Sequence, residues 1–196
     1  TTLVVLVCLW IRNHYRETKE KIAKIDEVFA MAQYGSAHSP PELIEDGNTA
    51  VFIVGNSRGG GLHALLWVQR MFPNHFQNFV FMNARTVDSK AYGGREALEA
   101  MRVDASVSLN YFVNFCRSHG LRAKSYLSFG TDAVEELTKL AKQVADNHPN
   151  AIFFTSKLVF EDENILTRLL HNQAALELQR RLHNAGQQMV ILPMRL

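Results

Sequence analysis

An excess of charge of one sign is missing from this chain. Its 21 Lys and Arg stand against 19 Asp and Glu, interspersed along 196 residues, for a formal net charge of +2. Without a basic field, a nucleic-acid partner is not expected. Cysteine is scarce: Cys8 and Cys116 lie far apart in apolar surroundings, which reads as reduced thiols in a cytosolic setting and not as a disulfide framework. Eight histidines are scattered with no pair at zinc spacing facing a matching pair, so no metal is expected. Internal repeats and low-complexity segments are also missing. The chain is 47% hydrophobic, enough for one sizeable core, so a single domain with an appendage is expected.

What is present is an alternation of strand and helix patterns. The organising stretch is TAVFIVGNSRGGGLHALLWVQRM at residues 49–71. It predicts a buried strand over 49–54, a glycine-rich turn over 55–61 and an amphipathic helix from Leu62. Further apolar runs predict strands over 78–82, 123–129, 151–155 and 189–192. Between them, helical periodicity covers 97–118, then a helix opened by Asp132 and Glu135 in capping-box spacing, then 162–183 with Leu166, Leu170, Ala174, Leu178 and Leu182 four apart. This order gives an α/β fold: a five-stranded parallel sheet with helices on both faces, Rossmann-like. The 123–129 run alternates instead of being solidly apolar, which places it at a sheet edge with one wet face.

The amino-terminal part reads differently. TTLVVLVCLW is too short to span a bilayer by itself, which takes about 20 residues, and it is followed at once by Arg12, His14, Arg16 and three lysines. A buried element of the domain, a signal-peptide core and the cytosolic end of a transmembrane helix are the competing readings. Positive charge after the apolar run, not before it, favours the last. Apolar positions at Ile11, Tyr15, Thr18, Ile22, Ile25, Phe29 and Ala32 predict a long charged helix with a narrow apolar stripe, fitting either a short coiled-coil seam or a helix laid on the domain surface. Gly35, Pro40 and Pro41 end it. The expected division is 1–11 as the end of a transmembrane helix, 12–44 as juxtamembrane helix and linker, and 45–196 as the α/β domain.

Taken in order, the strings IRNHYRETKEKI (11–22), FPNHFQNFVFMNARTVD (72–88), GTDAVEEL (130–137), FFTSKLVF (153–160), LLHNQAALELQRRL (169–182) and VILPMR (190–195), with residues 49–66, resemble the cytosolic C-terminal domain of bacterial amino acid permeases of the amino acid-polyamine-organocation (APC) superfamily, a domain related to universal stress proteins. The resemblance implies a non-catalytic regulatory or assembly module on the cytoplasmic face of the inner membrane, tethered to the transmembrane part of the same permease and forming a homodimer. It also raises adenine nucleotides, namely ATP, AMP or cyclic di-AMP, as ligands. The stress-protein nucleotide motif is degenerate here, however. Residues 156–164 contain no glycine, and the first strand ends in Val54-Gly55-Asn56-Ser57 where an Asp would contact adenine. A free-standing stress protein binding an adenine nucleotide is the alternative.

Three motif readings meet at the glycine-rich turn. Gly55-Asn56-Ser57-Arg58-Gly59 matches the G-x-S-x-G of a nucleophile elbow, but its partners, Asp88 or Asp132 with His171 or His183, are unconvincing. Neither a dinucleotide G-x-G-x-x-G nor a P-loop Gly-Lys-Ser is present, so no cofactor is expected. The remaining reading is an anion site made by backbone N–H groups beside Arg58. The candidate ligand-binding residues are therefore Gly55, Asn56, Ser57, Arg58, Gly59 and Gly60. Ligands of such sheets lie at the carboxyl ends of the strands, which adds Gly130, Thr131, Thr155 and Ser156.

Overall fold

The computed structural model describes residues 41–55, 57–87, 94–159 and 173–195, together with Val5 and Leu9. The expected end of a transmembrane helix, the charged helix over 11–32, and Asn56 lie outside these residues. Among the described residues no helix is long and apolar enough to cross a membrane.

The elements alternate as the apolar pattern requires. They are β1 (Thr49–Ile53), α1 (Arg58–Met71), β2 (Asn78–Thr86), α2 (Gly94–Ser118), β3 (Arg122–Gly130), α3 (Ala133–Asn147), β4 (Ala151–Val159), α4 (Gln173–Asn184) and β5 (Gln188–Arg195). Every strand pair is parallel and the order across the sheet is β3-β2-β1-β4-β5. The first two crossovers step outward from β1 in one direction; the third returns to its other side. With crossovers of one hand, that reversal puts the helices on opposite faces. Accordingly α1 and α2 pack on Phe52, Phe81 and Phe154, while α3 and α4 pack on Val51, Val80 and Phe153. The parallel register sets Phe52 beside both Phe81 and Phe154, with ring centroids 5.4 and 5.7 Å apart. The alternating run over 123–129 becomes the edge strand β3, where Ala123 is the buried residue.

Several boundaries move. The helix expected from Leu62 begins at Arg58, because Ser57 caps it: its Oγ accepts from the Gly60 N–H at 3.0 Å. The glycines expected to form a turn thus make the first helical turn. A Cβ on Gly61 would stand 2.4 Å from the ring of Phe112, so this glycine sets how closely α1 approaches α2. Strands β2 and β4, expected to end at Met82 and Thr155, each run four residues further. Of the helix expected over 162–183, the part from Gln173 is α4, which ends at Asn184, and residues 162–172 lie outside the described residues.

The entry to the domain is held at the amino ends of the strands. Buried Asn78 accepts from the Ile44 N–H at 2.9 Å and donates to the Ile44 carbonyl at 2.8 Å, and its Nδ2 also lies 3.2 Å from Thr49 Oγ1. Cys116 sits in the core, where burial pushes its thiol up to about 12.

Candidate functional site

The difference in strand length makes the site. β1 has five residues, while β2 and β4 on either side have nine. Pairing on both flanks of β1 stops at Ile53, opposite Met82 and Thr155. Beyond that point β2 and β4 continue with no strand between them, across a gap of two strand spacings, about 10 Å. This gap lies at the topological switch point, where the chain turns from one side of β1 to the other.

A cavity of about 460 Å³ fills it. Its walls are Ile53, Val54 and Gly55 after β1, residues 83–86 of β2, Thr155 and Ser156 of β4, and Ala133, Leu137, Ala174, Ala175 and Leu178 from α3 and α4. The apolar lining comes from Ile53, Val54, four alanines, Leu137 and Leu178, and the polar lining residues are Asn83, Arg85, Thr86, Thr155 and Ser156. Arg85 is the one charged residue among these lining residues. Its Nη2 lies 3.3 Å from Asp104 of α2, and its Nε is buried without a partner among the described residues.

Where β1 ends, side chains replace the missing ladder. Asn83 Nδ2 donates to the Val54 carbonyl at 2.7 Å, and Thr155 Oγ1 donates to the Ile53 carbonyl at 3.4 Å. The Val54 N–H reaches the Met82 carbonyl at 3.0 Å. The frayed end of β1 is thus held from both flanking strands, which keeps the cavity mouth formed without a ligand.

The candidate residues divide. Gly55, Thr155 and Ser156 line the cavity. Asn56 lies outside the described residues. Ser57 is the α1 cap, with ordinary extended backbone (φ −80°, ψ 116°) in place of the strained geometry of a nucleophile elbow. Two N–H groups of the expected anion site are engaged internally: that of Gly60 by Ser57 Oγ and that of Gly61 by the Ser57 carbonyl. Arg58 lies over the Tyr111 ring at 4.8 Å, on the α2 side. Gly59 and Gly60 are buried in the first turn. Gly130 and Thr131 lie at the end of edge strand β3 and are not among the cavity's lining residues. A Cβ on Gly130 would meet the side chain of Glu136. That carboxylate accepts from Ser128 Oγ at 2.6 Å and pairs with Lys139, contacts that hold it below its usual range.

The other titratable candidates have local roles. Asp132 caps α3 through the Glu135 N–H at 2.8 Å, as its capping-box spacing predicts. His183 receives the Met189 N–H at 3.4 Å at the opposite end of the sheet from Ser57. Asp88 and His171 lie outside the described residues. His119 stacks on Phe115, and His148 ends α3 with its Nε2 3.4 Å from the Tyr126 hydroxyl. Partial burial, then nearby Lys124, lowers the His148 pKa. A depressed pKa means the fold favours the neutral ring, so this stability is present above about pH 6.5 and is lost as pH falls below it. Denaturant titrations at pH 7.5 and 5 are expected to show a smaller acid loss for His148→Gln than for the unsubstituted chain.

A second, more open concavity of about 570 Å³ lies between α3 and α4, lined by Val134, Ala174, Leu176, Glu177 and Arg180. Its charged groups satisfy each other, with Arg180 2.6 Å from Glu177. Sequence reasoning missed Asn83, Arg85 and Thr86, which extend β2 past its apolar run.

Among known proteins, no family model, no curated sequence and no solved structure gives a match to this chain. The likeness to permease domains therefore rests on the sequence strings alone.

Proposed function

We propose that the domain from about residue 45 is a non-catalytic regulatory or assembly module that senses a small ligand at the switch-point cavity, and that it serves as the cytosolic C-terminal domain of an APC-type permease. The observation that carries the sensing role is the cavity formed where β1 stops four residues before β2 and β4. The permease context comes from the sequence resemblance. A non-catalytic role is supported by the ordinary backbone of Ser57 and its use as a helix cap.

The test is a thermal-shift screen against ATP, ADP, AMP, cyclic di-AMP, NAD and free amino acids, run on the unsubstituted chain and on Gly55→Trp. Gly55 is exposed and a Cβ there meets nothing within 4 Å, so a tryptophan at the cavity mouth is expected to leave the fold intact, which far-UV circular dichroism of the variant checks. A compound at a hundred times its Kd adds about 2.7 kcal/mol. For a chain of this size that moves the midpoint by roughly 5–10 °C. The expected result is a shift for at least one compound that Gly55→Trp abolishes. A shift that survives Gly55→Trp refutes the cavity as the site, and no shift for any compound leaves an assembly role alone.

A further inference from the structure

Asn83 stands at the cavity wall and is only 5% exposed. Its Nδ2 is committed to the Val54 carbonyl at 2.7 Å, which fixes which end of the amide is the oxygen. That oxygen, Oδ1, has no hydrogen-bond partner among the described residues. The described side-chain atoms that are sealed from solvent and unpartnered are Arg85 Nε and Arg117 Nε, so Asn83 Oδ1 keeps contact with solvent. A nearly buried, oriented and unpaired acceptor beside an apolar lining is costly to leave dry. It rewards a ligand that brings a donor and penalises one that covers it with carbon.

Resting on the ligand-sensing reading above, we infer that the cavity selects ligands presenting an N–H donor to Asn83 Oδ1. Two sources share this chemistry: the amino edge of a nucleobase and the amide of an amino acid such as glutamine. Asn83 is then the specificity-determining contact of the site.

Two pairs of probes separate the sources on the full chain. One pair is AMP and its analogue dimethylated at the exocyclic amino group. The other is L-glutamine and its γ-dimethylamide. Titration calorimetry is expected to show binding of the unmethylated member of at least one pair and weakening of at least about tenfold on methylation, the cost of covering a buried acceptor without pairing it. In Asn83→Leu that discrimination is expected to vanish. Because Asn83→Leu also strips the Val54 carbonyl of its donor, the comparison of methylated and unmethylated probes on the unsubstituted chain stands as the primary readout. Equal binding of both members of a pair, lost in Gly55→Trp, overturns the donor rule while leaving the cavity as the site. Binding untouched by Gly55→Trp overturns the site itself. No binding of either unmethylated probe overturns the donor rule; the site is then judged by the wider thermal-shift screen.

Discussion

Gly61→Ala is expected to destabilise the domain by about 3 kcal/mol, although alanine is the better helix former by about 1 kcal/mol. The sign is decided by space. The added Cβ would lie 2.4 and 2.5 Å from two ring atoms of Phe112 and 3.1 Å from Val54 Cγ1. Phe112 cannot retreat, since it is fully buried and stacked on Phe81 at 5.1 Å with an interplanar angle of 14°. Either α1 is displaced from α2 or the aromatic stack opens, and both cost more than helix propensity returns. Pairing the change with Phe112→Leu removes the obstructing ring atoms. The double variant is therefore expected to be more stable than the sum of the two single losses allows, by about 1 kcal/mol or more in a denaturant double-mutant cycle. Strict additivity would show that the two residues do not meet.

Asn78→Ala is expected to cost about 3 kcal/mol, or a fall in Tm of roughly 6–12 °C. The side chain is buried, and its removal leaves the Ile44 N–H without its acceptor and the Ile44 carbonyl without its donor. It also removes a contact to Thr49 Oγ1, which retains its own bond to the Gly47 carbonyl at 2.9 Å. The loss has a local signature as well as a global one. Asp46 is held from the other side by Asn150, whose Nδ2 donates to its carbonyl at 2.8 Å. Limited proteolysis of Asn78→Ala is expected to gain an early cut near Ile44, ahead of global unfolding. A global loss with no new early cut would mean that Asn78 supports the sheet without anchoring the segment.

Within the α/β domain, the expected elements and their order are those of the described structure because the strands carry short, dense apolar runs and the helices carry four-residue spacing. Even the edge position of β3 was legible, since alternation at Ala123 and its neighbours marks one wet face. The apolar pattern starts helix α1 four residues later than the structure does. Glycine is a poor helix former in isolation, and only the Phe112 ring across the helix interface explains why Gly61 stands in that first turn. The apolar runs also stop before the strands do. Asn83, Arg85 and Thr86 break the apolar run of β2, yet parallel pairing with β3 continues through Thr86 opposite Gly130. The same holds for β4, paired with β5 through Val159 opposite Arg195.

Those overlooked residues are the ones that build the cavity. An apolar run reports where a strand is buried on both faces, whereas a site at the carboxyl ends requires polar residues on strands that have outrun their neighbour. The general rule for parallel sheets points to Thr155 and Ser156, and the glycine-rich turn points to Gly55. Asn83 had no sequence signal of its own: an asparagine after NFVFM reads as the end of a strand, and only the early stop of β1 turns it into a wall of the cavity. Arg58 shows the opposite case. A cation beside glycines suggests an anion site, but the structure lays its guanidinium over Tyr111.

The cavity as the ligand site is tested most directly by mapping amide chemical shifts in a ¹⁵N-labelled chain titrated with whichever compound of the thermal-shift screen gives the largest midpoint change. The account predicts perturbations concentrated on Gly55, on residues 83–86 and on Thr155 and Ser156, all lost in Gly55→Trp. Perturbations centred instead on Arg58 to Gly60 and Tyr111, or along the groove between α3 and α4, would contradict it.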